Sequence, residues 1–411
     1  MPSIHTKRLF YGATYLFDQI GEATGVAADL KTCFPDSYRQ IQSIVYYLIL
    51  ENRNLLFLFA GWAKLHKHPY GENIPSQRSS EIFQSISEKA KMRFFRLQGR
   101  RRAEKECWAY DTTSISSCSQ LLKQVKYGKN KDNDKLLQIN LALLFGEESG
   151  LLFYYRKLSG NIPDVKTVNE LVRELDVFGY GKIKLVMDRG FYSKDNINAL
   201  YRKHYKFIIG VRTMLGYVKN FITEIGTGKD SYEAYDENHD LYAFSKTITW
   251  DYEQKRPYKG DVLKDERRMY LHLYYNYNPE KRLEDEKTLN CKVSKLQHEL
   301  ESGQRKADHE SEYGRYFIVK ETPKRGIQIT VNQEAIDKAR ERYGFFALVS
   351  NEVKDPLLAL NIYRTRDVVE KAYFDIKDRL NMRRTLVSSE SALEGKIFVE
   401  FVALIYLSYI K

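Results

Sequence analysis

Three carboxylates in this chain stand where they could hold divalent cations. Asp111 follows the apolar stretch ECWAY and precedes two threonines, and Asp188 follows KIKLVM and precedes Arg189 and Gly190. Glu370 lies in YRTRDVVEKAYFDIK, Tyr363–Lys377. A hard cation such as Mg²⁺ takes one or two carboxylates plus substrate phosphates, so a pair of ions calls for about three acids. The apolar runs predict strands closed by Asp111 and Asp188, with Gly190 permitting a sharp turn after the second. If Tyr363–Lys377 is one helix, Tyr363, Arg366, Glu370 and Lys377 fall at about 0°, −60°, −20° and −40°, a face about 60° wide. A core stripe would be apolar there, and a solvated face gives no reason for an acid, two bases and a phenol to align. Asp367, about 40° from Tyr363, is the competing third acid. Each acid alone has a plainer use: Asp111 capping a turn, Asp188 bonding its own loop, Glu370 pairing with Arg366 one turn away.

Residues with this chemistry need rigid elements, and the chain is long enough to supply them. Its 411 residues suggest two or three cores, and 43% hydrophobic content excludes general disorder. A net charge of +12, with Lys and Arg spread along the chain, favours a polyanionic partner, and 31 tyrosines suit stacking on bases or donation to phosphates. Cys33, Cys107, Cys118 and Cys291 are scattered without C-x-x-C spacing, which fits a reduced cytoplasm and neither a disulfide framework nor a zinc finger. MPSIHTKRLF lacks the apolar core of a signal peptide. LLFLFAGWA and IFVEFVALIYLSYI are shorter than the roughly 20 residues of a membrane helix, so no membrane association is expected. The second run is apolar nearly all round, apart from Glu400, and is expected to need a covering surface from a longer natural chain.

The first hundred residues read as helical and end in the basic patch Arg100, Arg101 and Arg102. Strand-like texture begins near Glu106: ECWAYDTTSI, LQINLALLFG and GLLFYYRKLSG suggest a three-stranded meander. A helix (DVKTVNELVREL), a strand (KIKLVMD), a helix (SKDNINALYRKH) and a strand (KFIIGVR) follow. The order β-β-β-α-β-α-β is that of an α/β fold, a mixed sheet with helices on its faces. Between residues 213 and 344 the pattern becomes tyrosine-rich strands around a charged helix, a β-rich insertion with basic clusters at Lys255, Arg256, Lys259, Arg267, Arg268, Lys324 and Arg325. FFALVSN then reads as a last strand or the return from the insertion.

WAYDTTSISS, VMDRGFYS and the spacing Y-x-x-R-x-x-x-E-x-x-x-x-x-x-K resemble the signature blocks of DDE transposases from bacterial insertion sequences, in the branch with a β-strand insertion before the final acid. The resemblance covers most of the chain. It implies a helical, DNA-binding region over residues 1–103, a ribonuclease H-like catalytic domain over 104–212 and 345–411, and a β-rich insertion over 213–344. It implies that Asp111, Asp188 and Glu370 are catalytic and bind two Mg²⁺ ions, replaceable by Mn²⁺, and that Tyr363, Arg366 and Lys377 hold DNA, with Arg189 beside them. The tetrad spacing favours Glu370 over Asp367. The expected activity is DNA cleavage and strand transfer by a homodimer acting on terminal inverted repeats and target DNA, in a prokaryotic cytoplasm at the nucleoid.

Other chemistries find less support. Ser114, Ser116, Ser117 and Cys118 lie near Asp111 without a nearby histidine to act as base. His66 and His68 form a lone i,i+2 pair in a loop-like stretch, which reads as solvated. The alternatives are a nuclease or resolvase on the same fold that cuts without joining, and a domesticated DNA-binding protein without catalysis.

Overall fold

The computed structural model describes residues 7–51, 55–101, 106–117, 122–128, 136–179, 183–256, 260–322, 326–380, 384–385 and 389–410. The chain divides into two compact units, Met1–Ile208 with Asn361–Lys411, and Ile209–Leu360. Arg102, Cys118, Lys259, Lys324 and Arg325 lie outside the described residues.

The first unit begins with six helices: α1 (Gly12–Ala23), α2 (Val26–Cys33), α3 (Tyr38–Glu51), α4 (Phe59–Leu65), α5 (Ser76–Ser85) and α6 (Glu88–Arg100). Ser87 caps α6 by accepting from the Ala90 amide, as a serine with an extended backbone does at a helix start. The sheet follows with β1 (Trp108–Ser117), β2 (Leu137–Gly146), β3 (Leu152–Ser159), α7 (Asp164–Phe178), β4 (Lys184–Met187), α8 (Lys194–Arg202) and β5 (Lys206–Val211), which crosses the unit boundary. β1, β2 and β3 form the antiparallel meander, β4 lies parallel to β1 on its other side, and β5 comes next in the order. Such an order, with helices on the sheet faces, is ribonuclease H-like. β2 reads LQINLALLFG because it is a central strand: Ile139, Leu141, Leu143 and Phe145 are buried, and so are Ala142 and Leu144 on the opposite face.

The second unit contains α9 (Gly216–Ile225), β6 (Tyr235–Asp236), β7 (Leu241–Arg256), β8 (Asp261–Tyr275), α10 (Pro279–Glu301), α11 (Glu310–Tyr316), β9 (Phe317–Thr322), β10 (Gly326–Val331), α12 (Gln333–Arg340) and β11 (Phe345–Ser350). β7 and β8 form a long hairpin, and β11 lies antiparallel to β8. β9 and β10 form a separate hairpin, whose unit has a small core built on Leu296, Tyr313, Phe317 and Ile336. On the long hairpin, Arg256 pairs with Asp261 and Arg267 with Asp265, so part of its basic charge is neutralised locally.

The chain re-enters the first unit along α13 (Pro356–Arg364) and continues through α14 (Asp367–Phe374), a π-helical turn (Asp375–Arg379), the short strand β12 (Arg384–Thr385) and α15 (Glu390–Ile410). β12 pairs parallel with the end of β1. α15 is buried from Ala392 to Leu407 over nearly its whole circumference. Its cover comes from this chain: α15 packs on α1, α3, α5 and β3. That corrects the expectation of a covering surface from outside. Phe398 meets Phe34, Phe94 and Phe95, and Tyr406 meets Phe17 and Tyr46. Gly395 permits the tightest approach, since a Cβ there would lie 2.0 Å from the carbonyl oxygen of Phe83 on α5. No single helix among the described residues is long and apolar enough to cross a membrane.

His66 and His68 are not the solvated pair that their loop-like setting suggests. The His66 ring stacks on Trp62 at 4.8 Å, and buried His68 meets the Ser43 hydroxyl at 2.9 Å. An aromatic cluster of Phe59, Trp62 and Tyr47 draws the two rings in.

Candidate active site

The parallel pairing of β1 with β4 sets Tyr110 against Met187, so the next residues, Asp111 and Asp188, emerge side by side. Asp188 ends β4 as expected. Asp111 does not end β1: it is the fourth of ten residues, paired with Leu143, because β2 matches β1 through to Ser117. Half-buried Asp111 accepts from the Thr112 amide at 2.8 Å, and Asp188 accepts from the Arg189 amide at 2.7 Å and caps the 3₁₀ turn Arg189–Phe191. Gly190 in that turn needs no glycine-only backbone, and a Cβ there would meet only Asp164 Oδ2 at 3.8 Å. The turn is sharp, but glycine is not what makes it possible.

Tyr363–Lys377 is not the single helix of the sequence reading. α13 stops at Arg364, and α14 starts at Asp367. In the break, the amides of Arg366 and Val369 donate to carbonyls only three residues back, those of Tyr363 and Arg366. The Thr365 hydroxyl sits between the Ile362 carbonyl, at 2.7 Å, and the Glu147 carboxylate. A second departure follows at the π-helical turn, where the Leu380 amide reaches back five residues to the Asp375 carbonyl. Lys377 lies within that turn. Lys377 is buried, at 8% exposure, and not displayed to solvent.

The other three tetrad residues do come together. Tyr363 is buried and donates its hydroxyl to Asp188 Oδ1 at 2.9 Å. The Arg366 guanidinium lies over the Tyr363 ring, 5.0 Å from its centroid, with Nη1 3.6 Å from Asp188 Oδ1 and Nη2 3.9 Å from Glu370 Oε1. Both are ion-pair separations too long for hydrogen bonds. Burial opposes the Arg366 charge, but Tyr363, Asp188, Asp111 and Glu370 outweigh it, and its pKa rises above the ordinary arginine value. All three acids therefore act on one cation. Glu370 is 68% exposed on α14 and Arg189 is exposed on its turn, both open to a ligand from solvent. The side chain of Asp367 lies outside the described residues.

Sequence reasoning missed the residues that brace this arrangement. The Thr112 hydroxyl donates to Asp164 Oδ1 at 2.5 Å, and buried Tyr110 donates to Thr167 at 2.9 Å, which ties β1 to the start of α7. Burial raises the carboxyl pKa of Glu147, which holds the Thr365 break. GEESG reads as a plain turn, so nothing in its spacing singles Glu147 out. Tyr373 on α14 turns its hydroxyl into the interior, where burial raises its pKa well above the usual range and Asp111 adds to the effect.

The donor set suits a hard divalent cation: three carboxylates, two of them facing the stand-in positive charge of Arg366. As placed, no three acidic, histidine or cysteine side chains among the described residues converge closely enough to hold an ion jointly. The guanidinium lies between two of the acids.

No curated protein matches the chain. Among solved structures, it is similar to a piggyBac transposase synaptic complex with hairpin DNA, seen by cryo-EM, at 11% identity and a TM-score of 0.44, over 90% of this chain and 65% of that one. The chain thus spans less than two thirds of that relative. The family model described as "Transposase DDE domain" matches residues 102–406, a stretch that contains β1, β4 and α14 with their three acids. The chain belongs to the DDE transposase family, whose members generally depend on a divalent metal.

Proposed function

We propose that this protein cuts DNA at the ends of a bacterial insertion sequence and joins the freed 3′ ends to target DNA, with Asp111, Asp188 and Glu370 as its catalytic acids. The grouping of these acids supports the reading: Asp188 and Glu370 share Arg366 as counter-ion, and Asp111 emerges beside Asp188 from the neighbouring strand. Two divalent ions, Mg²⁺ or Mn²⁺, held by these carboxylates would supply Lewis-acid activation of the attacking hydroxyl and stabilisation of the leaving oxygen. The chain's own residues have distinct parts. Asp111 is held by β1 and its neighbour Thr112, and Asp188 by the Arg189 amide and the Tyr363 hydroxyl, so both carboxylates are aimed before DNA arrives. Glu370, exposed on a helix separate from both strands, closes the acid set from the solvent side. Arg366 and exposed Arg189 would neutralise phosphate oxygens, and Lys377 would do so only after the π-helical turn shifts. The helical first hundred residues and the insertion would add backbone contacts to a DNA-bound homodimer.

The test incubates the protein with Mg²⁺ and labelled DNA carrying the element's terminal inverted repeats. Joined products are expected. Nicks that never join would favour a nuclease on the same fold, and intact DNA would favour a binding protein without catalysis.

A further inference from the structure

We infer that Arg366 is a built-in counter-ion of the acid cluster, which a divalent cation must displace from between Asp188 and Glu370, and that displacement frees the guanidinium to bind phosphate. The inference rests on the proposed role of these acids in metal binding. Geometry carries it. The guanidinium reaches Asp188 through Nη1 at 3.6 Å and Glu370 through Nη2 at 3.9 Å, so it fills the gap that a shared ion would fill. Among the described residues no three acids converge on a common point, and the guanidinium lies between two of them.

The pairing is built to be given up. Neither contact is a hydrogen bond, whereas a settled arginine–carboxylate pair closes to about 2.8 Å in a fork. Nε of Arg366 is buried without a hydrogen-bond partner, so the side chain is held by charge and by the face of Tyr363 more than by directed bonds. Glu370 is mostly exposed, which leaves a path by which an ion enters and the guanidinium swings outward. Tyr363 keeps Asp188 in place through its own hydroxyl at 2.9 Å, so the acid stays aimed when the arginine leaves. Before the exchange the acids carry less net negative charge and attract cations weakly. After it, the arginine adds positive charge where DNA approaches. Metal and DNA would therefore favour each other's binding, because each supports the same displaced Arg366.

Titration of the DNA-free full-length protein with Mn²⁺, followed by electron paramagnetic resonance of the free ion, tests this without any turnover. The comparison set is the parent, Arg366→Ala, Arg366→Lys, Asp188→Asn and Glu370→Gln, each checked by circular dichroism for intact fold. Arg366→Ala should bind Mn²⁺ about tenfold more tightly than the parent, a modest effect because the partly exposed pairs are screened. Arg366→Lys, which keeps the charge, should stay near the parent. If Arg366→Ala binds with the parent's affinity or more weakly while Asp188→Asn loses binding, the counter-ion inference fails and the metal assignment stands. If Asp188→Asn and Glu370→Gln both bind like the parent, the metal assignment fails and the inference falls with it. Should Arg366→Ala misfold, tightening in Arg366→Gln supports the inference, and unchanged affinity there overturns it.

Discussion

Tyr363 donates its hydroxyl to Asp188 across 2.9 Å although 175 residues separate the two in the chain. The bond ties α13 to the end of β4, and it places a neutral donor on an acid that also faces the positive charge of Arg366. Tyr363→Phe keeps the buried ring and removes only this bond. Cleavage should slow by about 10- to 100-fold, the equivalent of losing one hydrogen bond to a charged group, with little change in melting temperature. Single-turnover cleavage beside a thermal melt checks it, and a variant as fast as the parent would show that Asp188 needs no such aiming.

Asp111→Ala, Asp188→Ala and Glu370→Ala should each lower strand cleavage by about 10³-fold or more while DNA affinity stays near the parent's, since affinity rests mainly on basic contacts to phosphates. Glu370→Ala should also leave stability almost unchanged, because that side chain is mostly exposed. Activity that survives Glu370→Ala and disappears in Asp367→Ala would move the third acid to Asp367.

Arg189 and Lys377 should fail in different ways. Arg189 is exposed, and Arg189→Ala should reduce the salt slope of DNA binding by about 0.9, one phosphate contact, with no loss of stability. Lys377 is buried, so Lys377→Ala should destabilise the fold measurably before any effect on the salt slope appears. Binding isotherms over a salt series and urea unfolding distinguish the two.

Burial lowers the pKa of His272 on β8 to about 4, against an ordinary value of 6.5, while its Nε2 meets the Val353 carbonyl at 3.0 Å. The folded state therefore favours the neutral ring. Its contribution is complete above about pH 6.5 and declines as pH falls toward about 4, by up to about 3 kcal/mol in total. Urea unfolding of the full chain between pH 4 and 7 should show this slope, and His272→Asn should flatten it. An identical slope in the variant would assign it to other groups.

Gly395→Ala should destabilise by about 3 kcal/mol, because the new methyl would meet the Phe83 carbonyl at 2.0 Å and force α15 off α5. Denaturant midpoints test this, and a variant within 0.5 kcal/mol, about the size of an ordinary surface change, would mean that the two helices part freely.

The sheet was legible because its strands are short apolar runs bounded by turn residues: LQINLALLFG is β2, and KIKLVM reaches Asp188 as expected. Asp111 was misplaced within β1 because an aspartate followed by threonines looks like a strand end, and only the ten-residue register with β2 shows otherwise. The helix of Tyr363–Lys377 was read as continuous because propensity is a local property. Its break rests on Thr365 meeting Glu147, 218 residues away, a contact that no periodicity carries. Tyr363 and Glu370 both lie beside Arg366, as their spacing suggests, whereas Lys377 falls in the π-helical turn, where the angle per residue differs from that of an α-helix. His68 was misread for the same reason as the break, since its partner Ser43 lies 25 residues away on α3, while His66 stacks on Trp62 only one helical turn before it.

α15 imposes an order in time on the making of this protein. The helices that it covers leave the ribosome long before α15 does; the ion pair of Lys91 with Glu394 joins residues 303 apart. Until α15 arrives, α1, α3 and α5 have no partner for the apolar faces that they will turn toward it. A growing chain is thus expected to hold its first unit incomplete until α15 has emerged, exposed to chaperones and proteases. Products that terminate before residue 390 would be cleared without ever assembling Tyr363, Arg366 and Glu370 in a stable setting. The first unit therefore completes its core only once α15 has joined α1, α3 and α5.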